Sequence, residues 1–138
     1  MREILFKAKR IDNGEWLEGL VSKIENTFCL IREYGSNISY ECDVNTLRQY
    51  TGLTDKNGNK IWENDVCRYI DGDECRVKEE IFVVKYGRYA ESCKINIGFY
   101  IDWIKADYYR CDLVFWAENR NIEVVGNIFD NPELIKGV

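Results

Sequence analysis

The sequence predicts a mainly-β protein with little helix, and three observations predict it. Apolar residues recur with period two along most of the chain, as they do on strands with one buried face. Short apolar runs are broken every few residues by Gly, Asn and Asp, the residues of tight turns. The composition, 14% aromatic with a single proline among 138 residues, is that of an ordered, packed chain.

The elements follow in order. Ile4, Phe6 and Ala8 alternate with Leu5, Lys7 and Lys9, and the run ends in Asp12-Asn13-Gly14. Asn-Gly readily takes the positive φ angles of a tight turn, so Trp16–Val21 is the return strand of a hairpin. Phe28–Arg32 and Ile38–Val44 form the next pair across Gly35-Ser36-Asn37, with Ile38, Tyr40, Cys42 and Val44 on the dry face. In Gln49–Cys67 (QYTGLTDKNGNKIWENDVC), Gly52 and Asp55–Asn59 punctuate the backbone twice. Glu63-Asn64-Asp65 marks a bend before the strand Val66–Ile70. Asp71-Gly72-Asp73 supplies another turn. Ile81–Tyr86, Phe99–Ile101, Leu113–Trp116 and Ile122–Phe129 complete the strands. Ile101–Tyr109 is the one internal stretch read as a short helix, with Asp102 near its start. At the tail, Asn131 suits a cap, Pro132 the first helical position and Glu133 the positive end of a helix dipole, which gives a single turn. Short strands with frequent turns suggest a small barrel or sandwich.

Composition narrows the function classes. Lys and Arg number 19 against 24 Asp and Glu, a net charge of −5 with a pI near 4.9. Neither residues 1–48 nor residues 49–138 are basic, which counts against binding driven by phosphate neutralisation. There is no histidine, so neither a Ser/His/Asp nor a Cys/His arrangement can be built. No Gly-x-Gly-x-x-Gly, P-loop or Asp/Glu-x-Lys sequence occurs. The six cysteines (29, 42, 67, 75, 93 and 111) form no C-x-x-C pair. Several sit in apolar alternation and read as small buried side chains. No apolar run could span a membrane, and the first residues lack the pattern of a secretory signal. A cytoplasmic setting is expected, with no membrane partner, no metal and no cofactor.

Three stretches carry a family resemblance. Arg2-Glu3-Ile4-Leu5-Phe6-Lys7-Ala8 is similar to the opening strand of the YopX-like proteins of phages and prophages. Gln49–Gly58, continuing through Ile61-Trp62-Glu63-Asn64-Asp65-Val66, resembles their central signature, and Ile122–Leu134 their closing segment. The match spans nearly the whole length in order, while Tyr69–Glu118 matches only loosely. Asn64 stands where the family usually has glycine in the bend. Asparagine also tolerates a left-handed backbone, so the turn is retained. The resemblance implies a phage-derived protein in a bacterial host cytoplasm. It also implies a small antiparallel SH3-like barrel at 49–138 and a smaller N-terminal β portion at 1–48 that contributes to self-association. It brings no catalytic residues.

Candidate sites are few. Tyr86-Gly87-Arg88-Tyr89 and Tyr108-Tyr109-Arg110 set rings beside guanidinium groups, so Arg88, Tyr89, Tyr108, Tyr109 and Arg110 are the candidate binding residues. Such groups can stack bases and meet phosphate. Asp102, Asp107, Asp112 and Glu91 nearby erode a positive field, which favours rings in the core and arginines at the rim. Asp55–Asn59 superficially resembles a calcium loop, but Lys60 stands at the required glycine and Val66 at the bidentate Glu, so a structural turn is the better reading. Trp16, Trp62, Trp103 and Trp116 read as core or interface anchors whose surplus favours a homo-oligomer. The sequence therefore points to a non-enzymatic, self-associating interaction protein that engages a host or phage protein. The alternative is a nucleic-acid accessory factor using the Tyr/Arg groups on a β-barrel face.

Overall fold

The computed structural model describes residues 4–72, 77–91, 93–105, 111–119 and 122–136. They form two compact units, Met1–Gly52 and Leu53–Val138. The chain is mainly β, with its strands in two antiparallel sheets.

In the first unit, β1 (Phe6–Lys9), β2 (Trp16–Ile24), β3 (Phe28–Arg32), β4 (Ser39–Asp43) and β5 (Arg48–Thr54) lie in the order β4-β3-β2-β1-β5. Pairing sets Ala8 opposite Leu17 and Cys29 opposite Cys42. One face thus collects Ala8, Leu17, Cys29, Ile31 and Cys42, all buried, with Val21, Tyr40, Val44 and Leu47 around them. The first hairpin turn is longer than the Asn-Gly pair suggests. Arg10 N–H donates to Glu15 O and Gly14 N–H to Arg10 O, and of Asn13 and Gly14 only the glycine is left-handed (φ +73°). The Asn13 side chain instead accepts from Glu15 N–H at 2.9 Å, which holds Asn13 out of the left-handed region. Within β2, Gly19 lies against the neighbouring backbone, where a Cβ would fall 2.2 Å from the Arg32 carbonyl oxygen.

β5 ends at Thr54, and β6 (Lys60–Trp62) follows it in the chain. The second unit then builds β7 (Asp65–Gly72), β8 (Val77–Glu91), β9 (Lys94–Trp103), α1 (Leu113–Asn119) and β10 (Ile122–Asn127). Four of its strands take the order β10-β7-β8-β9. Its core gathers Ile61, Cys67, Tyr69, Phe82, Val84, Ile101, Leu113, Trp116 and Ile122. The Trp116 ring meets Tyr69 at 4.9 Å and Trp103 at 5.1 Å, both edge to face, the arrangement that ring quadrupoles favour.

Two local expectations fail here. Leu113–Trp116 is helical, not extended: Leu113, Trp116 and Ala117 fall at i, i+3 and i+4, a spacing that puts all three on the core. Asp112 sits just before, and its carboxylate accepts from Val114 N–H at 3.0 Å, as a helix-initiating residue does. Ile101–Trp103, read as the start of a helix, is the end of β9 because Ile101 and Trp103 pair with Val84 and Phe82. Residues 106–109 of that stretch lie outside the described residues, as do Asp73, Glu74 and Cys75.

At the tail a single 3-10 turn covers Pro132–Ile135 with Pro132 at its start. Asn131 does not cap it. Its oxygen accepts instead from Asn127 N–H at 3.2 Å, closing the turn after β10. Cys29 and Cys42, read as buried from their apolar alternation, are buried free thiols, as is Cys67, while Cys93 is exposed on a turn at φ +64°.

Candidate functional site

The signature stretch is organised by carboxylates. Asp55 is buried (6% exposed), and its Oδ1 accepts from the backbone N–H of Asn57 and of Asn59, both at 2.9 Å. Its Oδ2 accepts from Val124 N–H at 3.0 Å, in a strand 69 residues away. Burial alone would raise this carboxyl's pKa, but the N–H bonds from Val124, Asn59 and Asn57 outweigh it and hold the group below its ordinary value. Asp65 Oδ2 accepts from Trp62 N–H at 2.8 Å and closes the next bend. Asn64 stands in that bend at φ +68°, the left-handed geometry expected of it. Its N–H donates to Val84 O at 2.7 Å and its carbonyl accepts from Ile128 N–H. These residues tie turns to strands. Among the described residues no three His, Cys, Asp or Glu side chains gather closely enough to hold a metal ion.

The Tyr/Arg groups are placed by the long β8–β9 hairpin, whose register runs from Phe82 opposite Trp103 to Glu91 opposite Lys94. Successive residues of a strand point to opposite faces. Arg88 therefore shares a face with Tyr86 and, across the pair, with Phe99 and Ile97. Tyr89 points the other way and stacks on Tyr100, with ring centroids 5.5 Å apart and planes 26° apart. The opposed glycines Gly87 and Gly98 leave the space those two rings lean over. Around Tyr89, burial, Asp112 and Glu91 all raise the phenol's pKa, and on the same face Lys85 is paired with Asp102 at 3.5 Å. Arg88 and Tyr89, adjacent in sequence, thus do not converge on one ligand. Tyr108, Tyr109 and Arg110 lie outside the described residues.

What the hairpin does assemble is an apolar strip. Tyr86 (53% exposed), Ile95 (66%) and Ile97 (71%) continue the core-side face of β8 and β9 past the point where the core ends. Tyr86 packs edge-on against Phe99 at 5.0 Å. The tryptophans do not contribute to this strip. Trp62 and Trp116 are buried and Trp103 packs against the core. Trp16 lies beneath Arg48, Lys9 and Lys7, with the cations 4.5, 5.3 and 5.5 Å from its ring centroid. The strip is made of isoleucine and tyrosine, and the alternation Ile95-Asn96-Ile97-Gly98-Phe99-Tyr100 was the sequence signal for it.

The family model described as YopX protein matches residues 7–136. Among solved structures, the fold is similar to that in "Crystal structure of protein EF1440 from Enterococcus faecalis". The TM-score is 0.56 at 23% identity, covering 99% of this chain and 100% of that one. That likeness concerns the fold. No curated protein matches the chain.

Proposed function

From the premise that the chain belongs to the YopX protein family, we propose that it is a non-enzymatic, self-associating protein-interaction module. We place it in the cytoplasm of a bacterial host as a phage-derived protein, in line with the resemblance of its three signature stretches. No helix among the described residues is long and apolar enough to cross a membrane. The observation that carries the reading is the cluster of exposed apolar side chains Tyr86, Ile95 and Ile97 on one face around Arg88, because exposed apolar side chains grouped on one face, with arginine among them, are what protein interfaces use. A second support is the use of Asp55 and Asp65 as acceptors for backbone N–H groups, a structural employment of the signature's buried carboxylates.

Mass in solution tests the reading. Sedimentation at about 50 µM, where interfaces of modest size populate complexes, is expected to show species heavier than one chain. A strict monomer there counts against self-association. A salt-dependent affinity for single-stranded nucleic acid would instead favour the accessory-factor reading. Material that co-purifies from phage-infected cells identifies any host or phage partner.

A further inference from the structure

β9 stands at one end of the sheet order β10-β7-β8-β9. Its outer edge is closed at one place by the segment before α1, where Ile101 N–H donates to Cys111 O at 2.8 Å and Tyr100 bridges Asp112. In an antiparallel ladder alternate residues direct both N–H and C=O the same way. Since Ile101 points outward, Ile97 and Ile95 point outward as well. Among the described residues no strand pairs with the edge at these two positions.

Strand edges in proteins are ordinarily guarded by charge, proline, bulges or cover. This one has none of the first three between Ile95 and Tyr100: the sequence is INIGFY, and its register with β8 is unbroken. These two residues, unpaired on that edge among the described residues, also carry the two most exposed large apolar side chains, Ile97 and Ile95.

We infer that β9 pairs antiparallel with β9 of a second copy of this chain about a two-fold axis through Asn96, with Ile95 opposite the other copy's Ile97. Only in that register do both unpaired residues of each copy, Ile95 and Ile97, meet an unpaired residue of the other. The outward N–H and C=O of Ile95 meet the C=O and N–H of Ile97, and the axis repeats the pair, which makes four backbone hydrogen bonds. All four isoleucines then lie on one face in a continuous stripe, and the two Asn96 amides face each other. Lys94 falls opposite Gly98, so no like charges meet although each chain carries −5. A different protein would have to supply this pattern; a second copy carries it by construction. The pairing engages only a few residues of each copy, against roughly 20–30 a side in a stable complex, so the dimer is weak and concentration-dependent.

This deepens the self-association reading and rests on it. The test uses the full chain in sedimentation velocity from about 5 to 500 µM. It compares the natural sequence with Ile97→Lys and, as a control, with Ile24→Lys, another exposed isoleucine (60%) on β2. Hydrogen exchange at the Ile95 and Ile97 amides is read over the same range. The expected result is a dimer whose midpoint moves at least about tenfold upward in Ile97→Lys and stays put in Ile24→Lys. The two amides should become slower to exchange as concentration rises. Because Ile97 is exposed, its variant keeps the fold, which an unchanged melting curve verifies. Association that Ile97→Lys leaves intact, or amides that stay fast in the associated form, overturns the β9 assignment and leaves self-association standing elsewhere. A monomer throughout overturns both.

Discussion

Replacing Asp55 by alanine removes one carboxylate and four acceptor contacts at once. The two loop donors, Asn57 N–H and Asn59 N–H, lie where water can reach them, so each loss costs about 0.5–1 kcal/mol. Val124 N–H is partly buried within β10, and leaving it unmet costs about 1.5–2 kcal/mol. The 3.4 Å contact from Asn59 Nδ2 adds little. The sum is about 3 kcal/mol, which moves a urea midpoint down by about 1.5 M at a slope near 2 kcal/mol per M. Tryptophan fluorescence follows the transition of the second unit through Trp62, Trp103 and Trp116, and hydrogen exchange at Val124 reports the lost bond directly. The same carboxylate sets a pH dependence. Its folded pKa lies below the ordinary value of 3.8, so its contribution is fully present above that value and fades as pH falls through the lower folded one. Asp55→Ala should therefore flatten stability against pH in the acid range. A loss under about 1 kcal/mol with unchanged Val124 protection would refute the claim that this side chain organises the loop.

Three further outcomes follow from the geometry. Asn64→Ala should cost about 1 kcal/mol for the left-handed φ, while Asn64→Gly stays within about 0.5 kcal/mol of the natural protein in the same urea assay. Gly19→Ala should cost about 3 kcal/mol or more, since the atom it meets is a main-chain carbonyl; Gly126→Ala meets only the Asn131 side chain at 2.5 Å and should cost about 1 kcal/mol, less again in an Asn131→Ala background, by double-mutant thermal melts. Alkylation at pH 8 followed by peptide mapping should mark Cys93 in the native protein and reach Cys29, Cys42 and Cys67 only after unfolding. The Cys42 thiol is pushed up to about 11, chiefly by burial and then by Cys29, so little of it is thiolate.

The sheet was legible because alternation is a local signal: Phe6 and Ala8, or Tyr40 and Cys42, declare a face within a few residues. The left-handed bend at Asn64 was legible because asparagine stands there in place of the glycine usual in the family, and both residues tolerate that conformation. The helix Leu113–Asn119 was not, because Val, Phe and Trp favour strands and only the tertiary core shows that Leu113, Trp116 and Ala117 share a side. The reach of Asp55 to Val124 was hidden by sequence distance, since a turn residue looks the same whether its second oxygen is used or not. The Tyr/Arg grouping shows the opposite error. Neighbours in a string look like one site, yet on a strand Arg88 and Tyr89 are as far apart in direction as two side chains can be.

The bond between Asp55 and Val124 has a consequence for how the chain is made. A ribosome adding roughly 5–20 residues per second exposes the central loop about 3–14 s before the strand that closes it. Through that interval the nascent chain carries an open loop whose carboxylate has not yet met its distant donor. A message cut short before codon 122 would yield a polypeptide in which it never does, and that product should be cleared by proteases instead of accumulating.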